Sequence, residues 1–132
     1  MVMDSVYGAT AVDAARACRN DQNLPPLIAW EKAIVAHTSS KSSREKSCPK
    51  AAFIGLCSGG FIKGILPWAD APISLNGQYA SQAATTLMAL GNHSVPSPQE
   101  LWHQVVGTHK ASNSQMHVVL ALHSAGLLGS PL

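Results

Sequence analysis

Apolar positions along this chain recur at intervals of three and four, not two. Tyr7, Ala11, Ala14 and Cys18 fall on one face of a helix, and Tyr79, Ala83, Leu87 and Leu90 repeat the arrangement. Trp30 with Ala33 and Ile34, and Trp102 with Val105 and Val106, form a second pair of stripes. Each second stripe opens with a proline, Pro26 or Pro98, in the first turn, where a missing N–H costs nothing. Ser97-Pro98-Gln99-Glu100 adds the spacing of a capping box. A third pair of helices ends in a glycine that takes up the left-handed position, followed by an apolar residue that folds back. Gly60-Phe61 over Leu56 is one instance and Gly126-Leu127 over Leu122 the other. The pattern predicts an all-α fold of about six helices.

The resemblance between stripes extends to identities. Shifting the chain by 72 positions aligns Tyr7 with Tyr79, Ala11 with Ala83, Ala17 with Ala89 and Asn20 with Asn92. It also aligns Pro26 with Pro98, Trp30 with Trp102 and His37 with His109, pairing the only two tyrosines and two of the three tryptophans. An offset of 66 then aligns 56–62 with 122–128. The reading is two diverged three-helix repeats in one domain, 1–132: repeat one about 5–64, a linker 65–75, and repeat two about 76–130. The second copy is shorter by six residues where the first carries the Ser- and Lys-rich stretch Thr38 to Ser47, read as a loop. Trp68, in the linker, is expected to plug the seam between the copies.

Composition narrows the function classes. Nine Lys/Arg against seven Asp/Glu leave a net charge of +2, which argues against a dedicated nucleic-acid binder. No stretch approaches the ~18 to 20 apolar residues of a membrane span, and Met1 to Tyr7 lacks a basic region followed by an apolar run. Three cysteines without a C-x-x-C pair suit reduced thiols, so the expected location is cytoplasmic, with Cys18 and Cys57 in the core.

Charge is uneven nonetheless. Lys41, Arg44, Lys46 and Lys50 lie within ten residues, opposed only by Glu45. Pro49 suits a first helical turn, which puts the cap at Ser47 or Cys48, and the unpaired N–H groups of a helix start favour an anion. The same field would promote a Cys48 thiolate, the nucleophilic form, although no triad can be drawn around it. The rival reading is a solvated basic loop in which Ser47 caps the helix. The corresponding junction in the second copy offers Asn113 or Ser114 as cap, followed by Gln115. Six histidines show no metal-ligand spacing, and no phosphate-binding glycine motif is present, so no metal or cofactor is expected. His37 and His109 are expected at helix C-terminal ends.

Several strings carry a family resemblance: Ala29-Trp30-Glu31-Lys32-Ala33, Ser42-Ser43-Arg44-Glu45-Lys46 with Cys48-Pro49-Lys50, Ala52-Phe53-Ile54-Gly55-Leu56-Cys57, and Asn113-Ser114-Gln115-Met116. They resemble a family of small bacterial proteins catalogued as a domain of unknown function, over nearly the whole chain. The family carries an acidic residue where this chain has His117 and an aromatic where it has His123. The resemblance implies no activity, but it marks the Arg44 segment as a hallmark, either a site or a turn braced by Glu45 against Arg44 or Lys46.

The functional expectation is therefore a binding or regulatory protein that recognises a small anionic ligand, or an anionic group on a protein partner, through Arg44, Lys46, Ser47, Cys48 and Lys50. Asn113, Ser114 and Gln115 would join if the two junctions meet. A small enzyme using Cys48 and a protein interaction module are the alternatives.

Overall fold

Local chemistry sets the helix ends in the computed structural model, which describes residues 5–67, 73–91 and 95–129. Helix α1, Val6–Asn20, is capped by the Ser5 hydroxyl, which accepts from the Tyr7 and Gly8 amides. Pro26 opens α2, Pro26–Ile34, and Pro98 opens α6, Pro98–Val105, whose Ser97 and Glu100 form the complete capping box. Between them lie α3, Lys41–Arg44, α4, Ser47–Gly59, and α5, Leu75–Leu90, while α7 spans Gln115–Ser124. Two helices close on a left-handed glycine. Phe61 N donates to Leu56 O at 3.0 Å after Gly60, and Leu127 N to Leu122 O at 2.9 Å after Gly126.

Among the described residues the regular secondary structure is helical, apart from one isolated antiparallel β-bridge between Ile62 and Leu128. Two equal bonds flank it, Lys63 N to Leu127 O and Gly129 N to Phe61 O, each 2.8 Å. The helices exchange partners across the fold: α1 packs on α2 and α7, α5 packs on α4 and α6, and α4 meets α7. Close crossings depend on small residues. Gly8 lies against Ala121 and the His117 carbonyl, and Gly55 faces Gly77 backbone to backbone. One core unites these elements, including Ala11, Ala14, Trp30, Phe53, Leu56, Ala83, Leu87, Trp102 and Leu122, with Cys18 and Cys57 buried in it. Burial pushes the Cys57 thiol well up in pKa, helped by neighbouring Cys18. It also raises Cys18, with Asp21 adding to the shift.

Four expectations need correction. The stretch Thr38 to Ser47 holds the single-turn helix α3, capped by Ser40, whose hydroxyl accepts from the Ser43 amide. Leu90, placed on the buried face of α5, is 37% exposed because α5 ends there and runs off the core. Neither Ser47 nor Cys48 caps α4; the cap position is Lys46, with no side-chain bond to the helix. His37 and His109 lie beyond the last residues of α2 and α6, and His37 Nε2 pairs with Asp13 of α1 at 2.6 Å. Trp68 and Asn92 lie outside the described residues. Among the described residues no helix is long and apolar enough to cross a membrane.

Candidate functional site

The basic loop is held by its own backbone. Arg44 Nε donates to the Thr38 carbonyl at 2.8 Å, and the Tyr7 hydroxyl donates to the Ser43 carbonyl at 3.2 Å. The Lys46 ammonium lies 5.3 Å from the centre of the Tyr7 ring, within cation–π reach. Glu45 is exposed and makes no ion pair among the described residues, so it does not brace Arg44 or Lys46; Arg44 is anchored by a carbonyl instead. Among the described residues the one basic side chain that meets a carboxylate is His37, on Asp13, which leaves Arg44, Lys46 and Lys50 without one. Ser47 is exposed, Cys48 and Lys50 are half-buried, and no hydrogen bond reaches Cys48 among the described residues.

The second junction is built differently. After α6 the chain turns at Gly107, whose φ of +109° is a conformation that glycine adopts without a side-chain clash. Trp102 Nε1 then donates to the Lys110 carbonyl at 2.8 Å, fixing the loop on α6. The Trp102 ring meets Tyr79 edge-on at 5.4 Å, and the Lys110 ammonium donates to the Tyr79 hydroxyl at 3.0 Å. Ser114 is the cap residue of α7 but sits at φ +71° with no side-chain cap bond. In its place Gln115, 3% exposed, accepts from the Asn113 amide and donates to Asn76 Oδ1 at 2.9 Å.

Between α6 and this loop lies an open cleft of about 640 Å³, within the size range of small-molecule sites. Trp102, His103, His109, Lys110 and His117 line it, with Ser97, Pro98, Gln99, Thr108, Ala111 and Ser112 completing the wall. No carboxylate is among them. His117 contributes from the first turn of α7, and its Nδ1 is buried without a hydrogen-bond partner among the described residues. Desolvation lowers its pKa and the nearby Lys46 charge lowers it further, favouring the neutral ring. Among the described residues no three His, Cys, Asp or Glu side chains come together as metal ligands would.

The structure thus separates the residues singled out from sequence. Arg44, Lys46, Ser47, Cys48 and Lys50 lie on the α3–α4 segment, and none lines the cleft. Asn113, Ser114 and Gln115 fall between two lining residues, Ser112 and His117, with Gln115 turned inward onto Asn76. Sequence reasoning passed over His103, His109, Lys110 and His117. Their signal was present: a run of cationic and imidazole side chains without an acid, beginning next to Trp102.

The chain matches the model of a family of unknown function, DUF6979, over residues 3–129. No curated protein and no solved structure matches it.

Proposed function

The chain belongs to this family of unknown function, and from its own geometry we propose that it is a binding protein for a small anionic molecule held in the α6–α7 cleft. The observation that carries this reading is the lining, which has one lysine and three imidazoles and no carboxylate. Burying an anion beside cationic donors replaces the water it loses with charge-assisted hydrogen bonds, which are roughly twice as strong as neutral ones. Lys110 is suited to that role because its backbone is pinned by Trp102 while its ammonium bonds only to the neutral Tyr79 hydroxyl among the described residues. The Arg44–Lys50 segment serves the same end from the flank, where its unneutralised charge draws anions toward the cleft.

Inorganic phosphate provides the test. The wild-type chain melts at a higher temperature in millimolar phosphate than in chloride of matched ionic strength. The His109→Ala/Lys110→Ala double variant loses that increment. An absent increment in wild type, or an equal one in the variant, refutes the proposal.

The duplicated architecture is part of the same reading. It is supported by the Ile62–Leu128 bridge, which joins residues 66 positions apart, the offset at which the third helices align. It is supported too by the crossed packing of α1 on α7 and α5 on α4. On this view the second copy supplies the cleft, and the first the basic flank.

A further inference from the structure

The cleft and the basic loop come from segments about 60 residues apart in sequence, and the first turn of α1 joins them. Tyr7 carries the Lys46 ammonium over its ring at 5.3 Å. Gly8, the next residue, lies against the α7 backbone, where an added Cβ would be 3.1 Å from the His117 carbonyl and 2.8 Å from Ala121 Cβ. His117 in turn lines the cleft. Lys46 therefore stands at the cleft's α7 side, with Tyr7, Gly8 and His117 as the intervening contacts. Burial lowers the pKa of His117, and the positive charge of Lys46 lowers it further. On the α6 side stands Lys110, held on Tyr79. Each ammonium lies over a tyrosine ring, at 5.3 and 5.0 Å, and neither has a carboxylate partner among the described residues.

Resting on the cleft reading, we infer that the ligand is an extended polyanion with at least two charged groups, one met by Lys110 in the cleft and the other by Lys46 beyond His117. A single compact anion satisfies one ammonium and leaves the other bare. A chain of phosphoryl or carboxylate groups engages both. Arg44, tied to the Thr38 carbonyl, holds the loop that carries Lys46 in register for this second contact.

Calorimetric titration of the full-length chain with inorganic phosphate and with linear tripolyphosphate, at low salt, tests the inference. Tripolyphosphate binds at least tenfold more tightly than phosphate to the wild type. Lys46→Ala costs tripolyphosphate at least fivefold more affinity than it costs phosphate and so removes most of that advantage, while Lys46→Arg retains it. Lys32→Ala, which deletes an equal charge on the exposed surface of α2, serves as the charge control and leaves the advantage in place. Equal loss for both anions in Lys46→Ala, equal loss in Lys32→Ala, or no loss in either overturns the two-point ligand while leaving the cleft reading standing. No binding of either anion to wild type overturns both.

Discussion

Replacing Gly55 by alanine should cost more stability than any other glycine-to-alanine change tested in this fold, because the added methyl meets backbone. A Cβ at Gly55 would lie 2.3 Å from the Gly77 Cα and 3.0–3.1 Å from the Gly77 carbonyl carbon and oxygen. No side-chain rotation relieves that contact, so α4 and α5 must move apart. Their interface is dry, with Ala52, Leu56, Ala80 and Ala84 all at 0% exposure, and a gap there forfeits contacts along its length. Overpacking of this kind costs about 3 kcal/mol at the upper end of its usual range, and alanine's helix preference over glycine returns about 1 kcal/mol. The net loss is about 2 kcal/mol, a melting decrease of roughly 8 °C at about 4 °C per kcal/mol for a chain of this size. Gly126→Ala is the comparison: nothing lies within 4 Å of its Cβ, and only the strain of φ +73° is added, about 1 kcal/mol and roughly 4 °C. Thermal and urea unfolding followed by circular dichroism measure both. A Gly55→Ala protein as stable as wild type, or less perturbed than Gly126→Ala, would refute the backbone-contact argument.

Two further outcomes follow from the site. His117 has a pKa below the ordinary 6.5 in the folded chain, so as pH falls through about 6.5 the unfolded chain takes up a proton that the folded one resists. That contribution is intact above 6.5 and is lost progressively toward the lower folded pKa. His117→Asn should flatten the acid side of the stability profile, and an unchanged slope would count against the burial and Lys46 effects assigned to this ring. Trp102→Phe and Trp30→Phe delete the same atoms from similarly buried sites, but only Trp102 Nε1 has a partner, the Lys110 carbonyl, while Trp30 Nε1 has none among the described residues. Urea unfolding should find Trp102→Phe the more costly by about 1 kcal/mol, the net worth of one hydrogen bond; the reverse order would refute the role given to that bond.

What was legible in the sequence is what local chemistry decides. Pro26, Pro98, the Ser97–Glu100 box and the two glycine stops mark helix ends because each acts within one turn of the chain. The buried stripes of Trp30 and Trp102 follow from period alone. The cleft was not legible, although its lining all comes from 97–117, because it forms only where the turn at Gly107 and the Trp102–Lys110 bond fold the loop back on α6. The close approach of Gly8 to α7, which links the Lys46 loop to His117 through Tyr7, likewise has no signature in a single helix. Arg44 was read as a ligand-binding charge or, alternatively, as a residue that Glu45 braces, whereas the fold gives its Nε a carbonyl six residues upstream. Ser47 failed as a cap because the turn of α3 delivers the chain one residue earlier, at Lys46.

The short pairing of Phe61–Lys63 with Leu127–Gly129 also sets how the molecule comes apart. These are the exits of α4 and α7, and helix exits ordinarily fray independently of one another. Here the Lys63 and Gly129 amides are each bonded to the other exit, so loosening one end releases the other. Local opening at either helix terminus becomes opening at both, and these two amides exchange their hydrogens with solvent at a common slow rate. In folding, this contact joins residues 66 positions apart, so the entropy of closing that loop opposes the clasp until the helices between are in place. The exits of α4 and α7 consequently gain and lose their order together.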